Sequence, residues 1–169
     1  MTIPLPLVTE RLIIRPFDAE DRPALAALYA DPEVMRYIPY GVLDEAGVER
    51  VLAKYARVEE EYGFTVWAVV ERSTGALLGD VGFAVHEATG EPEVGYSLVR
   101  SAWGQGFASE AAAACIAAAF EHLEASRVVA VVDAENAPST RVAERIGMRR
   151  EGLIDAHGRP HILFAKERP

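Results

Sequence analysis

The sequence has little cysteine and no long apolar run, and each absence excludes a class of protein. A single cysteine, Cys115, in 169 residues excludes an internal disulfide framework and a cysteine-built zinc site. A reducing compartment, the cytoplasm, is therefore the expected location. No run of about 18 or more apolar residues occurs, which predicts no membrane-spanning helix. The first ten residues lack a basic leader ahead of an apolar stretch, which predicts no secretory signal.

An excess of basic residues is also missing. The chain carries 17 Lys and Arg against 26 Asp and Glu, a formal net charge of −9. Because nucleic-acid binders normally present a basic face, nucleic acid is excluded as an expected partner. A negative protein attracts amines weakly, although many soluble proteins are acidic for solubility alone. Half of the residues are apolar and a quarter are charged, so we expect one globular domain over residues 1–169 and no disordered chain.

What is present is an alternation of strand and helix patterns. Apolar residues recur at helical spacing after the capping residues Asp18 and Asp44, and β-branched runs bounded by turn residues predict strands. Helices are predicted over 18–29, 44–62, 107–123 and 137–146, and strands over 8–15, 64–71, 77–86, 93–99, 127–133, 149–155 and 161–165. The order β-α-α-β-β-β-α-β-α-β-β predicts an α/β protein with a mixed sheet.

The segment from 93 to 109 combines a strand, a glycine turn and a helix. Gly104 and Gly106 allow backbone N–H groups to approach a ligand closely, and the helix that follows adds its unpaired N-terminal N–H groups. Together they predict an anion site suited to a pyrophosphate. The lysine of a nucleotide-triphosphate loop is missing, and Ser109 replaces the third glycine of a dinucleotide fingerprint. Gly95, inside the strand, predicts a bulge or a close approach by another group.

The same turn carries a resemblance to a known family. The run Trp-Gly-Gln-Gly-Phe-Ala-Ser-Glu-Ala at 103–111 resembles motif A of the GNAT acetyltransferases, in the RimJ/RimL-like branch. Further matches cover nearly the whole chain in order: 9–12, 31–37, 93–96, Asn136 with Ser139, and 146–148. The resemblance implies a GNAT-like, mostly antiparallel sheet of about seven strands with helices on both faces. It also implies acetyl-CoA as acetyl donor and allows a homodimer, because dimers are common in the family.

The resemblance further implies a cofactor site. The pyrophosphate would lie on backbone N–H groups of residues 104–108, beside the hydroxyl of Ser109. The pantetheine arm would pair along the strand before the turn, where that strand splays from the next one, with Gly95 as a bulge. The residues implied in cofactor binding are Ser97, Leu98, Val99, Gly104, Gln105, Gly106, Phe107, Ala108, Ser109 and Asn136.

Direct acetyl transfer requires a neutral amine. About one α-amine in ten is neutral at pH 7, against about one lysine side chain in 2,500. Glu93, facing the splay, is therefore the candidate general base, directly or through a water, with His86, His157 and His161 as alternatives. Each of these side chains has a structural interpretation as well. The main-chain N–H of Val99 or Leu98 would serve the developing oxyanion.

The leaving thiolate has no tyrosine donor in the expected place. Residues 133–145 contain no tyrosine, and Ser139 stands where this branch has serine. Its hydroxyl would donate a hydrogen bond, relay a proton from water, or only support the first helical turn. Tyr37 and Tyr40, between the first two helices, would line the acceptor side together with His86. Cys115 is interpreted as a small buried residue rather than a covalent nucleophile.

Several functions remain open at this stage. The first is an N-acetyltransferase acting on a protein N-terminus or a small-molecule amine. The second is a catalytically inactive acyl-CoA-binding sensor or scaffold, which would share the fold and motif A. The third is a nucleotide-binding protein. The presence of Glu93, Asn136 and Ser139 favours the enzyme, and the identity of the amine is not readable from the sequence.

Overall fold

A computed structural model describes all residues, Met1–Pro169, as one eight-stranded sheet with four α-helices. The strands are β1 (Leu7–Val8), β2 (Leu12–Arg15), β3 (Val66–Glu71), β4 (Leu77–Val85), β5 (Pro92–Leu98), β6 (Arg127–Asp133), β7 (Arg149–Ala156) and β8 (Arg159–Glu167). The helices are α1 (Arg22–Ala30), α2 (Glu45–Tyr62), α3 (Phe107–His122) and α4 (Ala137–Arg145), with 3₁₀ turns at Ala19–Asp21 and Arg100–Ala102. The mixed α/β fold predicted from the sequence is confirmed.

The strand order explains where the sheet opens. Neighbours follow the order β1-β2-β3-β4-β5-β6-β8-β7, and every adjacent pair is antiparallel except β5 and β6. Those two strands are parallel and are paired only at Glu93 and Val129. Beyond that pair they diverge, so the sheet has a V-shaped gap in its middle with unpaired strand edges on both sides.

The first predicted strand, 8–15, is wrong as a continuous element. The chain turns at residues 9–11, and Leu7 pairs back onto Ile14. The cause is Thr9, whose hydroxyl accepts the Leu12 N–H at 3.0 Å while its own N–H donates to the Leu12 carbonyl at 2.9 Å. This short hairpin raises the strand count from about seven to eight.

Local signals set the helix ends of the first half. The Asp18 carboxylate caps the 3₁₀ turn that precedes α1, and the Asp44 carboxylate accepts the Gly47 N–H at 2.7 Å at the start of α2. Helix α2 ends at Gly63, whose φ of +75° is in the left-handed region. A Cβ on Gly63 would lie 2.0 Å from the Met1 carbonyl oxygen, so only glycine fits there.

Helices cover the two faces of the sheet. The alanine-rich α3 packs on one face, and its buried Ala111, Ala112 and Cys115 let the helix lie close to the strands. Cys115 is fully buried, as predicted, and burial raises the pKa of its thiol to about 12. A second apolar cluster, with Leu25 and Leu28 of α1, lies against the other face. None of the helices combines the length and the apolar character that crossing a bilayer requires.

The predicted bulge at Gly95 is absent. The β4–β5 register runs without a shift, and Gly95 lies directly opposite Gly82. A Cβ on Gly95 would meet no atom within 4 Å, so neither a bulge nor packing within the protein requires this glycine. The pairing of β5 with β4 is therefore regular. The departure from regular pairing lies on the opposite edge of β5, where β6 diverges.

Candidate active site

The gap between β5 and β6 leads into a cavity of about 550 Å³. Its walls are β5, the start of α3, one side of α4 along its length and the segment between α1 and α2. Of the residues predicted from the sequence, the cavity is lined by Tyr37, Ser97, Leu98, Gly104, Gly106, Phe107, Ala108, Ser109, Asn136 and Ser139. The predicted residues outside its lining are Tyr40, His86, Glu93, Val99 and Gln105.

The start of α3 presents unpaired donors to this cavity. Gly106 precedes the helix with a φ of +81°, and the first helical hydrogen bond runs from the Glu110 N–H to the Gly106 carbonyl at 3.0 Å. The N–H groups of residues 107–109 therefore have no intrahelical partner. The hydroxyl of Ser109 is buried and also has no hydrogen-bond partner. The helix terminus adds partial positive charge, so the combination suits an anion.

A side-chain network that sequence reasoning missed holds the glycine turn in place. The Glu110 carboxylate accepts hydrogen bonds from the Thr9 hydroxyl at 2.6 Å and from Arg11 Nε at 2.7 Å. The Arg11 guanidinium also donates to the Gln105 carbonyl at 2.8 Å and lies 4.2 Å from the centre of the Phe107 ring. Gln105 thus contributes through its backbone to anchoring the turn.

The charge state of Glu110 reflects these contacts. Burial alone would raise the pKa of the Glu110 carboxyl. The hydrogen bonds from Thr9 and Arg11 outweigh burial and leave that pKa below its usual value. Glu110 is therefore a carboxylate that ties α3 to the β1–β2 turn.

Alternation along β5 sends its side chains to opposite faces. Val94, Tyr96 and Leu98 pack with the α3 cluster, whereas Asp80, which lies opposite Ser97 and shares its face, accepts a hydrogen bond from the Tyr29 hydroxyl of α1. By the same two-residue period, Glu93 lies on the α1 face. The gap between β5 and β6 connects the two faces, so groups on either side can address one molecule that passes through it.

Glu93 and His86 form a pair on the α1 face. The distance between His86 Nδ1 and Glu93 Oε2 is 3.1 Å, and both side chains are partly buried. Glu93 lies at the vertex of the gap and is the one residue of β5 that pairs with β6. The other histidines lie elsewhere: His161 is buried with Nδ1 bonded to the Arg159 carbonyl, and His157 packs against it. Neither lines the cavity.

The backbone of β5 distinguishes its two expected oxyanion donors. The Val99 N–H donates to the Leu78 carbonyl at 2.8 Å and is therefore engaged in the sheet. Because backbone groups alternate along a strand, the Leu98 N–H points the other way, toward the gap. The Leu98 carbonyl accepts from Trp103 Nε1 at 2.8 Å, which leaves the Leu98 N–H as the donor for a ligand.

The start of α4 forms the opposite wall. Asn136 Oδ1 accepts the Ser139 N–H at 3.3 Å and so caps this helix. The Tyr96 hydroxyl donates to Ser139 Oγ at 3.0 Å. Burial raises the pKa of Tyr96, and its bond to Ser139 partly opposes that rise. Sequence reasoning missed Tyr96, which is 43 residues from Ser139 in the chain.

Three arginines around the cavity were also missed by sequence reasoning. Arg36, Arg141 and Arg145 line the cavity, and none of them forms an ion pair. Arg141 and Arg145 are four residues apart on α4 and so share one helix face, a spacing that was readable in the sequence. In a protein with a net charge of −9, unpaired cations around one cavity indicate an anionic ligand.

The segment between α1 and α2 closes one side of the cavity. The Tyr37 hydroxyl donates to the Glu135 carbonyl at 3.2 Å, which bridges the gap to the β6–α4 loop. An ion pair of 2.8 Å between Asp31 and Arg100 anchors the start of the segment. Tyr40 has 53% of its surface exposed and does not line the cavity. No group of three or more acidic, histidine or cysteine side chains is placed to bind a metal ion.

Known proteins are similar to this chain in sequence and fold. The acetyltransferase (GNAT) domain family matches residues 11–149. The uncharacterized N-acetyltransferase p20 of Bacillus licheniformis is 31% identical over 150 residues, which cover 88% of this chain and 84% of that protein.

Solved structures agree with that match. A GNAT-family acetyltransferase from Bacillus anthracis superposes with a TM-score of 0.84 at 29% identity, over 97% of this chain and 99% of the other. RimJ of Mycobacterium smegmatis, solved in complex with CoA-disulfide, shares the fold with a TM-score of 0.75 at 23% identity, over 92% and 81% of the two chains. The family match covers the glycine turn, the gap between β5 and β6 and the α4 wall together, and the chain belongs to the GNAT acetyltransferase family.

Proposed function

We propose that this acetyltransferase transfers an acetyl group from acetyl-CoA directly to a primary amine, at a protein N-terminus or on a small molecule. The observation that carries the proposal is the buried, unpartnered hydroxyl of Ser109 beside the free N–H groups of α3. These donors open onto the same cavity as three unpaired arginines. A ligand with a pyrophosphate and a further phosphate, joined to a long uncharged arm, matches that distribution of charge.

The residues present fit CoA along its length. Backbone N–H groups of the glycine turn and α3, with the Ser109 hydroxyl, would hold the pyrophosphate. Arg141 and Arg145 on α4 would neutralise phosphate charge at the outer end of the cavity. The free Leu98 N–H would pair with the arm or with the thioester oxygen. The CoA bound by the structurally similar RimJ supports this assignment.

The proposed catalytic groups lie on opposite faces of the sheet. Acetyl-CoA, when bound, supplies an activated acyl carbon with a thiol leaving group. Glu93, with His86 behind it, would accept the proton of the amine on the α1 face. Ser139 would donate a hydrogen bond on the α4 face, where sulfur departs. The gap at the vertex of β5 and β6 permits both contacts to one reacting group.

The acceptor would enter from the α1 face. Ala84 and Gly95, the small residues beside Glu93 on that face, are exposed, so the helices leave this part of the sheet open. Tyr37, which lines the cavity, and the exposed Tyr40 would contact the acceptor, and His86 lies beside Glu93. The negative net charge favours an amine over an anionic acceptor.

A matched pair of glycine variants tests the cofactor site. Gly104 and Gly75 both have a φ of +72°, and a Cβ on either would meet no protein atom within 4 Å. Gly104→Val and Gly75→Val therefore impose the same backbone strain, but only the first places a side chain where the pyrophosphate would lie. We expect Gly104→Val to weaken CoA binding by at least about tenfold, roughly 1.4 kcal/mol, in calorimetry, with Gly75→Val unchanged. Equal CoA affinity of both variants would refute the cofactor site.

Turnover separates the enzyme from its rivals. Free thiol released from acetyl-CoA in the presence of one member of an amine and peptide panel would support the transferase. Tight CoA binding without turnover across that panel would support an inactive acyl-CoA-binding module. Thermal stabilisation by ATP or NAD but not by CoA would support a nucleotide-binding protein instead.

A further inference from the structure

Two hydroxyl groups meet on the α4 wall of the cavity. The Tyr96 side chain crosses from β5 to α4, and its hydroxyl lies 3.0 Å from Ser139 Oγ. Both residues line the cavity and both are partly buried. Neither hydroxyl makes a hydrogen bond to any other protein group, so the pair stands apart from the capping contacts of α4.

One O–H group of the Tyr96–Ser139 pair remains available as a hydrogen-bond donor. Two hydroxyls carry two O–H groups, and the bond between them uses one. With Tyr96 as donor, the Ser139 O–H is left without an acceptor in the protein and is held at the cavity wall. A hydroxyl that accepts one hydrogen bond is also a stronger donor of the next, because the chain is polarised in one direction.

On the basis of the proposed acetyl transfer, we infer that Tyr96 is a positioning residue that aims the Ser139 hydroxyl at the sulfur of CoA. A free serine rotates among its staggered positions, whereas the bond from Tyr96 occupies one lone pair and directs the O–H away from β5. The Tyr96–Ser139 pair thereby supplies the hydroxyl donor that a tyrosine in residues 133–145 would otherwise provide. Tyr96 itself does not contact the reacting atoms in this arrangement.

The chemical step balances with these residues. The nitrogen–carbon bond forms as the carbon–sulfur bond breaks, and the electron pair of the broken bond stays on sulfur. The excess proton of the amine goes to the Glu93–His86 pair. Ser139 donates a hydrogen bond to the new thiolate, which takes its proton from water. The contribution of the Tyr96–Ser139 pair is to stabilise negative charge on sulfur as it develops.

The test measures the thiol of bound CoA rather than turnover alone. The ultraviolet absorbance of the thiolate gives the pKa of CoA bound to the wild type, Tyr96→Phe and Ser139→Ala. A donor aimed at sulfur lowers that pKa, so we expect each variant to raise it by about one unit relative to the wild type. We expect the double variant to raise it no further than either single variant, because Tyr96 acts through Ser139.

Controls distinguish aiming from general damage. Thr140→Val removes a neighbouring α4 hydroxyl that bonds the Asn136 carbonyl and does not line the cavity, and it should leave the thiol pKa unchanged. For acetyl transfer, Tyr96→Phe should lower kcat about tenfold with little change in KM.

The possible outcomes test the positioning role of Tyr96 separately from the proposed acetyl transfer. If all variants bind CoA with the same thiol pKa, the role of Tyr96 is overturned and the proposed function stands. If the wild type binds no CoA, both are overturned. If Ser139→Ala raises the pKa and Tyr96→Phe does not, Ser139 acts without Tyr96 and the inference fails.

Discussion

At the scale of single residues, the contact between Glu93 and His86 changes the interpretation of both side chains. In the sequence, Glu93 and His86 are rival candidates for the same role. In the structure they are 3.1 Å apart, so the carboxylate orients the imidazole or receives its proton. The pair lies at the vertex of the gap, where the position of Glu93 is set by its register with Val129.

Replacing Glu93 tests the base by its pH dependence. A base is needed most when the amine is protonated, so Glu93→Gln should lower kcat/KM about a hundredfold at pH 7 and much less at pH 9. Steady-state acetylation at the two pH values measures this difference. Glu87→Gln, an exposed carboxylate next to His86 in the chain, serves as the control and should lose nothing. An equal loss at both pH values would argue against a base.

At the scale of elements, α3 depends on a contact distant in sequence. The helix start that faces the cavity has no side-chain cap of its own. Its position comes from Glu110, which accepts from Thr9 and from Arg11 across the β1–β2 turn. The two-residue strand β1 therefore also stabilises the start of α3, because the turn that follows β1 supplies hydrogen-bond donors to Glu110.

Glu110→Gln should weaken this junction in a pH-dependent way. The pKa of Glu110 is lowered in the folded protein, so its stabilisation is present above the unfolded pKa and is lost as pH falls through the folded value. The variant should be less stable than the wild type by about 2 kcal/mol at neutral pH, and the difference should close as the pH falls below the lowered folded pKa. Urea denaturation at pH 7 and in acid measures it. Glu121→Gln, on the same helix and exposed, should show no such gap; a gap that persists in acid would contradict the assignment.

At the scale of the whole molecule, one buried carboxyl joins two helices to the sheet. Asp80 of β4 accepts from the Tyr29 hydroxyl at 2.6 Å and from the Ser97 N–H at 3.0 Å, and Tyr29 also meets Tyr55 of α2. Burial raises the pKa of Asp80 to about 7, against the opposing effect of these two donors. The network lies directly behind Ser97, so it connects the α1–α2 layer to the cavity wall.

The free energy of unfolding should change with pH as Asp80 titrates. Because its folded pKa is above the unfolded one, its contribution is fully present below about pH 4 and is lost as pH rises through about pH 7. Asp80→Asn cannot titrate, so the stability of the wild type relative to this variant should fall by up to roughly 4 kcal/mol between pH 4 and pH 8. Urea denaturation at both pH values gives the difference. The exposed Asp155→Asn is the control, and a difference independent of pH would contradict the raised pKa.

The sequence determined the features that depend on neighbouring residues. Carboxylate caps such as Asp44, the left-handed Gly63 and the Gly106 turn before α3 each act within a few positions, so their patterns are readable directly. The same local reasoning failed for one short turn and for one glycine. The turn at Thr9 splits a strand that looks continuous, and Gly95 sits in a regular ladder because the divergence belongs to β6.

Only the tertiary structure decided which side chains from distant parts of the chain meet. Tyr96 and Ser139, or Glu110 and Arg11, come from elements separated by 43 and 99 residues. No periodicity encodes such contacts, since they depend on strand order and on the angle at which β5 and β6 part. The candidate anion site is local because consecutive backbone N–H groups form it. The candidate catalytic groups, Ser139 and the Glu93–His86 pair, are brought to one opening only by the fold, because they lie on different elements and on opposite faces of the sheet.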